Sequence, residues 1–297
     1  MPVFVPHSLE EAFEALRQEP DAELLAGGTD FMVEVNAGHR RPRAVIALHG
    51  IEELAGWHRE GAEVVLGAST TYAEMMGAEL RALVPGLAQA ARTVGSPQIR
   101  NAGTLGGNLA TASPAGDTLP VLAALEATVV VNSAPGESRR LTLAELIEGP
   151  KRTSLRPGEL ITSVRLPARH GNQEFLKVGT RNAMIIAVAS VACVVDFAVR
   201  TVRLALGSVG PVVIRATQGE DFVASRIDWE ARKLPAPVAD LAELVALVRS
   251  AASPIDDHRS TAAYRRHAVG ICAGRAVARA LSSAYGAGPG IDAPRAP

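Results

Sequence analysis

Aromatic residues make up only 4% of the chain, so composition names no ring that a ligand would stack on. Cysteine is scarcer still. Cys193 and Cys272 stand far apart with no Cys-x-x-Cys spacing, which excludes a disulfide framework and a cysteine-held zinc or iron–sulfur site within the chain. An excess of one charge is missing too: 30 Lys plus Arg against 31 Asp plus Glu leave a formal net charge of -1, which argues against nucleic acid as a partner. The seven histidines are scattered without an i, i+4 pair, so no local metal signature is present. No basic region followed by a long apolar one opens the chain at Met1-Pro2-Val3-Phe4-Val5-Pro6-His7, and a cytoplasmic location is the expectation. The uncharged stretch 182–195 ends at Asp196, short of the roughly 20 apolar residues of a membrane span, and reads as buried core. What is present is 297 residues, 47% of them hydrophobic. That length predicts about two domains and buries enough surface to need no covalent staple.

The periodicity alternates. Ser8-Leu9-Glu10-Glu11 has the capping-box pattern, with Leu9, Ala12, Phe13 and Leu16 at helical spacing behind it. Strands are expected at 22–26, 43–48 and 62–68, then at 128–132 and 160–166. Thr71-Tyr72-Ala73-Glu74 and Thr142-Leu143-Ala144-Glu145 repeat the capping box, and 87–94 reads as a helix closed by Gly95. Around Pro167-Ala168-Arg169-His170-Gly171-Asn172 the composition turns polar, which marks a domain boundary. Beyond it 174–178, part of 185–197 and 202–209 suggest a small antiparallel sheet, and 241–250 and 261–284 suggest helices. In the last helix Tyr264, Ala268, Ile271 and Cys272 are expected on one core face, which makes Cys272 a packing residue. Residues 286–297, rich in Gly, Ala and Pro, are expected to form a mobile tail. No internal repeat is found.

Two glycine-rich segments carry the chemistry. Leu25-Ala26-Gly27-Gly28-Thr29-Asp30 follows a predicted strand, and Gly103-Thr104-Leu105-Gly106-Gly107-Asn108 runs on through Leu109-Ala110-Thr111-Ala112-Ser113-Pro114-Ala115-Gly116-Asp117. Glycine lets backbone N–H groups approach a ligand and converge on an anion, so two such loops could grip a diphosphate, with Thr29, Thr104 and Asn108 adding side-chain hydrogen bonds. Ordinary tight turns with capping residues are the competing reading. Asp30 and Asp117 would repel a diphosphate unless they cap helices or bind a sugar hydroxyl. Lys177 sits in a predicted strand beside Phe175, Leu176 and Val178, where a lysine ordinarily faces solvent. Arg100 and Arg181 are further candidates for phosphate. The dinucleotide, P-loop and nucleophile-elbow fingerprints are all absent, which disfavours a Rossmann dehydrogenase, a P-loop NTPase and an α/β hydrolase.

The segment Ala26-Gly27-Gly28-Thr29-Asp30, the run Ser96-Pro97-Gln98-Ile99-Arg100-Asn101-Ala102-Gly103-Thr104-Leu105-Gly106-Gly107-Asn108-Leu109 and Ala112-Ser113-Pro114-Ala115-Gly116-Asp117 together resemble the FAD-binding subunit of the molybdenum hydroxylases. This is the family of xanthine dehydrogenase and the medium subunit of aerobic carbon monoxide dehydrogenase. Glu174-Phe175-Leu176-Lys177-Val178-Gly179-Thr180-Arg181 and Tyr264-Arg265-Arg266 look like landmarks of its C-terminal domain, so the resemblance spans essentially the whole chain. It departs from the pattern at Ala183 and Met184, where many relatives carry polar or acidic residues. The resemblance implies an α+β fold: two α/β subdomains, about 1–57 and 58–168, forming an FAD-binding domain of the PCMH type, then a C-terminal domain over 169–285 with an antiparallel sheet and helices.

By position in the family motif, Leu25, Ala26, Gly27, Gly28, Thr29 and Asp30 with Gly103, Thr104, Leu105, Gly106, Gly107 and Asn108 would cradle the diphosphate and ribityl portion of FAD. Thr111 and Asp117 would hold the cofactor on the same side, Val94 and Ile161 would contact it, and Lys177 would lie near the flavin ring and tune its potential. The resemblance also implies an electron-output role. A large partner subunit would hold a molybdenum-pterin centre, a small one two 2Fe-2S clusters, and the FAD of this chain would pass electrons to an external acceptor, in a heterotrimer that can pair into a larger dimer. No metal is expected in the chain itself. A self-contained FAD-dependent oxidoreductase and a non-enzymatic nucleotide-binding or assembly module stand as alternatives.

Overall fold

The structure, a computed structural model, describes residues 1–168, 171–234 and 241–282. Its first lobe runs β1 (Val3–Phe4), α1 (Leu9–Gln18), β2 (Glu23–Leu25), α2 (Phe31–Asn36) and β3 (Val45–Ala47). The three strands form a parallel sheet in the order β1-β3-β2. Ser8 starts α1 by accepting from the Glu11 N–H at 3.2 Å, but the Glu11 carboxylate takes the His7 N–H at 2.7 Å, so the capping box expected there is only half made. Ala12, Phe13, Ala15 and Leu16 bury the inner face of α1.

The second lobe contains β4 (Trp57–Glu60), β5 (Glu63–Gly67), α3 (Tyr72–Met75), α4 (Ala78–Leu83), α5 (Pro85–Thr93), α6 (Pro97–Ala102), α7 (Leu105–Thr111), α8 (Thr118–Ala124), β6 (Thr128–Ala134), β7 (Glu137–Thr142), α9 (Leu143–Leu146), β8 (Ile147–Gly149), β9 (Arg152–Thr153) and β10 (Leu160–Pro167). Both capping boxes expected here are complete, at Thr71–Glu74 and Thr142–Glu145. The five strands β4-β5-β10-β6-β7 pair antiparallel throughout, which the alternation of strand and helix along the chain leaves open. A strand's own pattern records which faces are buried, and not which strand lies beside it.

Past the polar stretch, whose residues 169–170 lie outside the described residues, come β11 (Asn172–Val178), β12 (Ala189–Asp196), β13 (Thr201–Gly207), β14 (Ile214–Arg215), α10 (Thr217–Arg226), α11 (Ala242–Ala251) and α12 (Ala262–Ser282). The sheet is antiparallel in strand order, as the pattern suggests. It is buried on both faces. Val191, Cys193 and Val195 of β12 enter a core shared with α11 and α12, whereas Ala192 and Val194 join the core of the preceding lobes. This explains why the segment reads as an unbroken apolar run. In α12, Ala268 and Cys272 are buried as expected, but Tyr264 is 51% exposed and leaves that face. The expected tail, 286–297, lies outside the described residues.

The C-terminal sheet is docked by polar contacts as well as apolar ones. Gln173 accepts from the Gly86 N–H at 3.1 Å, and the Phe175 N–H donates to Gln89 at 2.6 Å, which ties β11 along α5. Arg203 reaches Glu126 at 2.9 Å, just past the end of α8.

Candidate cofactor site between the two lobes

A cavity of about 420 Å³ opens where the two lobes meet, within the roughly 300–1,000 Å³ usual for small-molecule sites. One wall is the turn between β2 and α2; the other is the start of α7 with the end of β5 and the edge of β10. The turn residues Ala26, Gly27, Gly28, Thr29 and Asp30 all line it, as do Thr104, Gly106, Gly107, Asn108, Thr111 and Ile161.

The two glycine segments do different work there. In the first, Gly28 takes φ +71°, and the N–H groups of Gly27, Gly28, Thr29 and Asp30 meet no acceptor among the described residues. Successive unpaired amides around a left-handed glycine form a concavity suited to anionic oxygens. In the second, the amides are already used. The Leu105 N–H donates to the Thr70 carbonyl at 2.9 Å, Gly106 to that of Ala68 at 2.7 Å, and Gly107 to the Thr104 hydroxyl at 3.0 Å. The expected second loop is mostly the helix α7, capped by Thr104. Its glycine serves packing: a Cβ on Gly106 would lie 2.8 Å from that of Ala68. Of the two segments it is therefore the first that presents free backbone amides to the cavity, while the second supplies a close wall and the side chains of Thr104, Asn108 and Thr111.

A Cβ on Gly27 would stand 1.7 Å from the Ala102 carbonyl oxygen, so the turn touches the α6 backbone and only glycine fits. Asp30 caps nothing; its carboxylate accepts from the Thr111 hydroxyl at 3.1 Å across the lobes. Lys151 spans the same divide to Glu34 at 2.8 Å, and this ammonium lowers the Glu34 carboxyl below its ordinary range. Arg40, stacked 4.5 Å over the Phe31 ring, also pairs with Glu23. Glu159 at the cavity edge is held below the usual carboxylate range by a two-pronged bond from Arg139, at 2.8 and 2.7 Å.

Other sequence candidates stand outside the cavity wall. Leu25 ends β2 behind the turn, Gly103 lies under the Tyr72 ring, and Leu105 is fully buried. Val94 offers its carbonyl to Arg100 at 3.0 Å, so that guanidinium serves the backbone, as does Arg181 with the Ala183 and Met184 carbonyls. Lys177 does not face solvent. Its Nζ lies 2.5 Å from the Asp117 carboxylate, with the two side chains 8% and 5% exposed, and donates also to the Thr93 carbonyl at 3.2 Å. Asp117 makes no side-chain cap on α8. Burial pushes its carboxyl up, against the opposing pull of Lys177 and of the Thr93 hydroxyl. The lysine charge is thus matched by a carboxylate within the domain interface.

Sequence reasoning passed over Ser69, Tyr72, Glu34, Arg40, Lys151 and Glu159 as wall residues. For Ser69 and Tyr72 a signal existed: Ser69 shortly precedes, and Tyr72 lies within, a capping box directly after a predicted strand, where chain ends gather around a site. The charged residues came from segments with no marked pattern. No group of three or more His, Cys, Asp or Glu side chains that could hold a metal occurs among the described residues. No described helix is long and apolar enough to cross a membrane.

Comparison with known proteins places both parts of the chain in described families. Residues 1–169 match the FAD binding domain in molybdopterin dehydrogenase, and residues 174–280 match the CO dehydrogenase flavoprotein C-terminal domain. A nicotinate dehydrogenase FAD-subunit of Eubacterium barkeri is 37% identical over 193 residues, 62% of this chain and 65% of that protein. The carbon monoxide dehydrogenase medium chain of Afipia carboxidovorans is 30% identical over 289 residues, 94% of this chain and 96% of that one. The crystal structure of a Cu,Mo-CO dehydrogenase in its cyanide-inactivated form superposes with a TM-score of 0.83 at 27% identity, covering 95% of this chain and 97% of that chain.

Proposed function

Because this chain belongs to the family of FAD-binding subunits of molybdopterin dehydrogenases, an oxidoreductase family with FAD as its cofactor, we propose that it is an electron-output subunit. In this reading it takes electrons from the 2Fe-2S clusters of a small partner and delivers them to an external acceptor, while a large molybdopterin subunit oxidises the substrate. The working assembly is a cytoplasmic heterotrimer, able to pair into a dimer of heterotrimers.

The observation that carries the cofactor reading is the row of unclaimed amides over residues 27–30, facing a cavity walled by both lobes. That donor set fits a dinucleotide's diphosphate, whose oxygens accept what the turn offers. We assign the cofactor contacts to Ala26 through Asp30 on one side and to Thr104, Gly106, Gly107, Asn108, Thr111 and Ile161 on the other. Leu25, Gly103, Leu105 and Val94 support these walls from behind, and the Lys177–Asp117 pair fixes the C-terminal domain against them. FAD supplies the chemistry, because it exchanges electrons one at a time or in pairs. The protein orients it and screens it from water.

The test is the visible spectrum and extracted cofactor content of the purified chain, alone and after co-expression with the adjacent reading frames of its operon. Near-stoichiometric FAD, with iron and molybdenum appearing only when partners co-purify, is the expected result. Folded protein without FAD in both preparations defeats the proposal, and rapid flavin reduction by a small substrate without partners replaces it with a self-contained oxidoreductase.

A further inference from the structure

Tyr72 is the first residue of α3 and one of the few aromatic side chains in the chain. Its N–H donates to the Gly103 carbonyl at 3.1 Å, and the adjacent Thr71 bridges to Thr104, so its backbone is pinned to the start of α7. The ring is pinned as well. A Cβ on Gly103 would lie 2.7 Å from Tyr72 Cε2, which means the ring is pressed against bare backbone. Tyr72 lines the cavity, is 5% exposed, and its hydroxyl makes no hydrogen bond among the described residues. The oxygen is not among the fully enclosed unpartnered atoms of the described residues, and the residue it belongs to stands on the cavity wall.

A buried tyrosine normally finds a partner for its hydroxyl, because an unsatisfied one forfeits the hydrogen bonds it had in water. Here a rigid ring holds a donor at the wall of a site built for a ligand rich in acceptors. Burial, reinforced by the Asp117 and Asp30 carboxylates, raises the phenol far above its ordinary value and keeps the proton on the oxygen.

We propose that Tyr72 contacts the cofactor, its hydroxyl donating a hydrogen bond to an acceptor atom of FAD in the cavity between the lobes. This rests on the FAD reading above and adds to it a residue on the segment after β5, which neither glycine motif includes. The phenylalanine ring of Y72F keeps the packing on Gly103 and removes only the donor.

The experiment compares wild type, Y72F and Y72L as full-length chains, by FAD titration of flavin-stripped protein and by urea denaturation of the same stripped protein. Y72F should weaken FAD binding about two- to twelve-fold, the loss of one net hydrogen bond. Its stripped form should be no less stable than wild type, because the missing hydroxyl had no protein partner. Y72L, which also loses the ring, should lower both. Unchanged FAD affinity in Y72F overturns the proposal; so does a fall in stability of its stripped form, the mark of a structural hydroxyl. Wild-type protein that binds no FAD overturns the functional reading itself and this proposal with it, an outcome distinct from equal binding by both proteins.

Discussion

Replacing Lys177 with methionine removes the cation paired with a carboxylate that has little other support among the described residues. Lys177 and Asp117 are almost wholly buried and 2.5 Å apart, and Asp117 Oδ1 is enclosed without a partner, so only Thr93 would remain. Leaving one member of a buried pair typically costs about 3–5 kcal/mol. The carboxylate has an escape, which is to take up a proton. From an ordinary aspartate value of about 3.9, protonation at pH 7 costs about 4 kcal/mol, and that is the ceiling on the damage. At pH 5 the same ceiling is about 1.5 kcal/mol. In K177M the folded pKa of Asp117 is raised, so stability is present at low pH and lost as pH rises through that value. Urea denaturation of K177M against wild type should therefore show a defect of about 3–4 kcal/mol at pH 7 that shrinks by more than half at pH 5. A K177M/D117L double variant, with neither charge, should recover most of the loss. A defect below about 1 kcal/mol at pH 7, or one that does not diminish on acidification, would refute the reasoning.

Three further outcomes can be checked. Gly27→Ala places a methyl 1.7 Å from the Ala102 carbonyl oxygen, so the turn must move away from α6; the purified variant should carry far less FAD by its visible absorbance, and full flavin content in folded protein contradicts the placement. The Lys151–Glu34 contact joins the lobes across the cavity, with Lys151 70% exposed, so K151M and E34Q should each speed FAD release by about two- to five-fold in stopped-flow dilution. The effects of the two changes should not add, and the gap should close in high salt. Asp257 is held below the usual carboxylate range: partial burial raises it, but the N–H groups of Arg259 and Ser260 and the Arg265 guanidinium outweigh that. A lowered folded value means that its stabilisation is present above about pH 4 and is lost on further acidification. D257N should flatten the stability profile between about pH 4 and pH 2, and an unchanged acid limb would count against it.

Much of this molecule was legible in its sequence because the relevant forces are local. Capping boxes at Thr71 and Thr142 close within four residues, and both formed as read. Strand cores such as 160–166 and 174–178 declare themselves by what they bury. The glycine at 27 is needed because backbone meets backbone there, a demand that one residue type alone can meet. The glycine motifs carried the family, and with it FAD. Tertiary structure decided what depends on partners distant in the chain. It made the second lobe's sheet antiparallel and used the amides of the Gly103–Asn108 segment for helix and strand-end bonds instead of for a ligand. It also turned Lys177 inward onto Asp117, 60 residues earlier, and left the Tyr72 hydroxyl unpaired at a cavity wall. A side chain's type and spacing set what it can donate or bury; which group it meets depends on how separate segments pack, and that information lies in no single stretch of sequence.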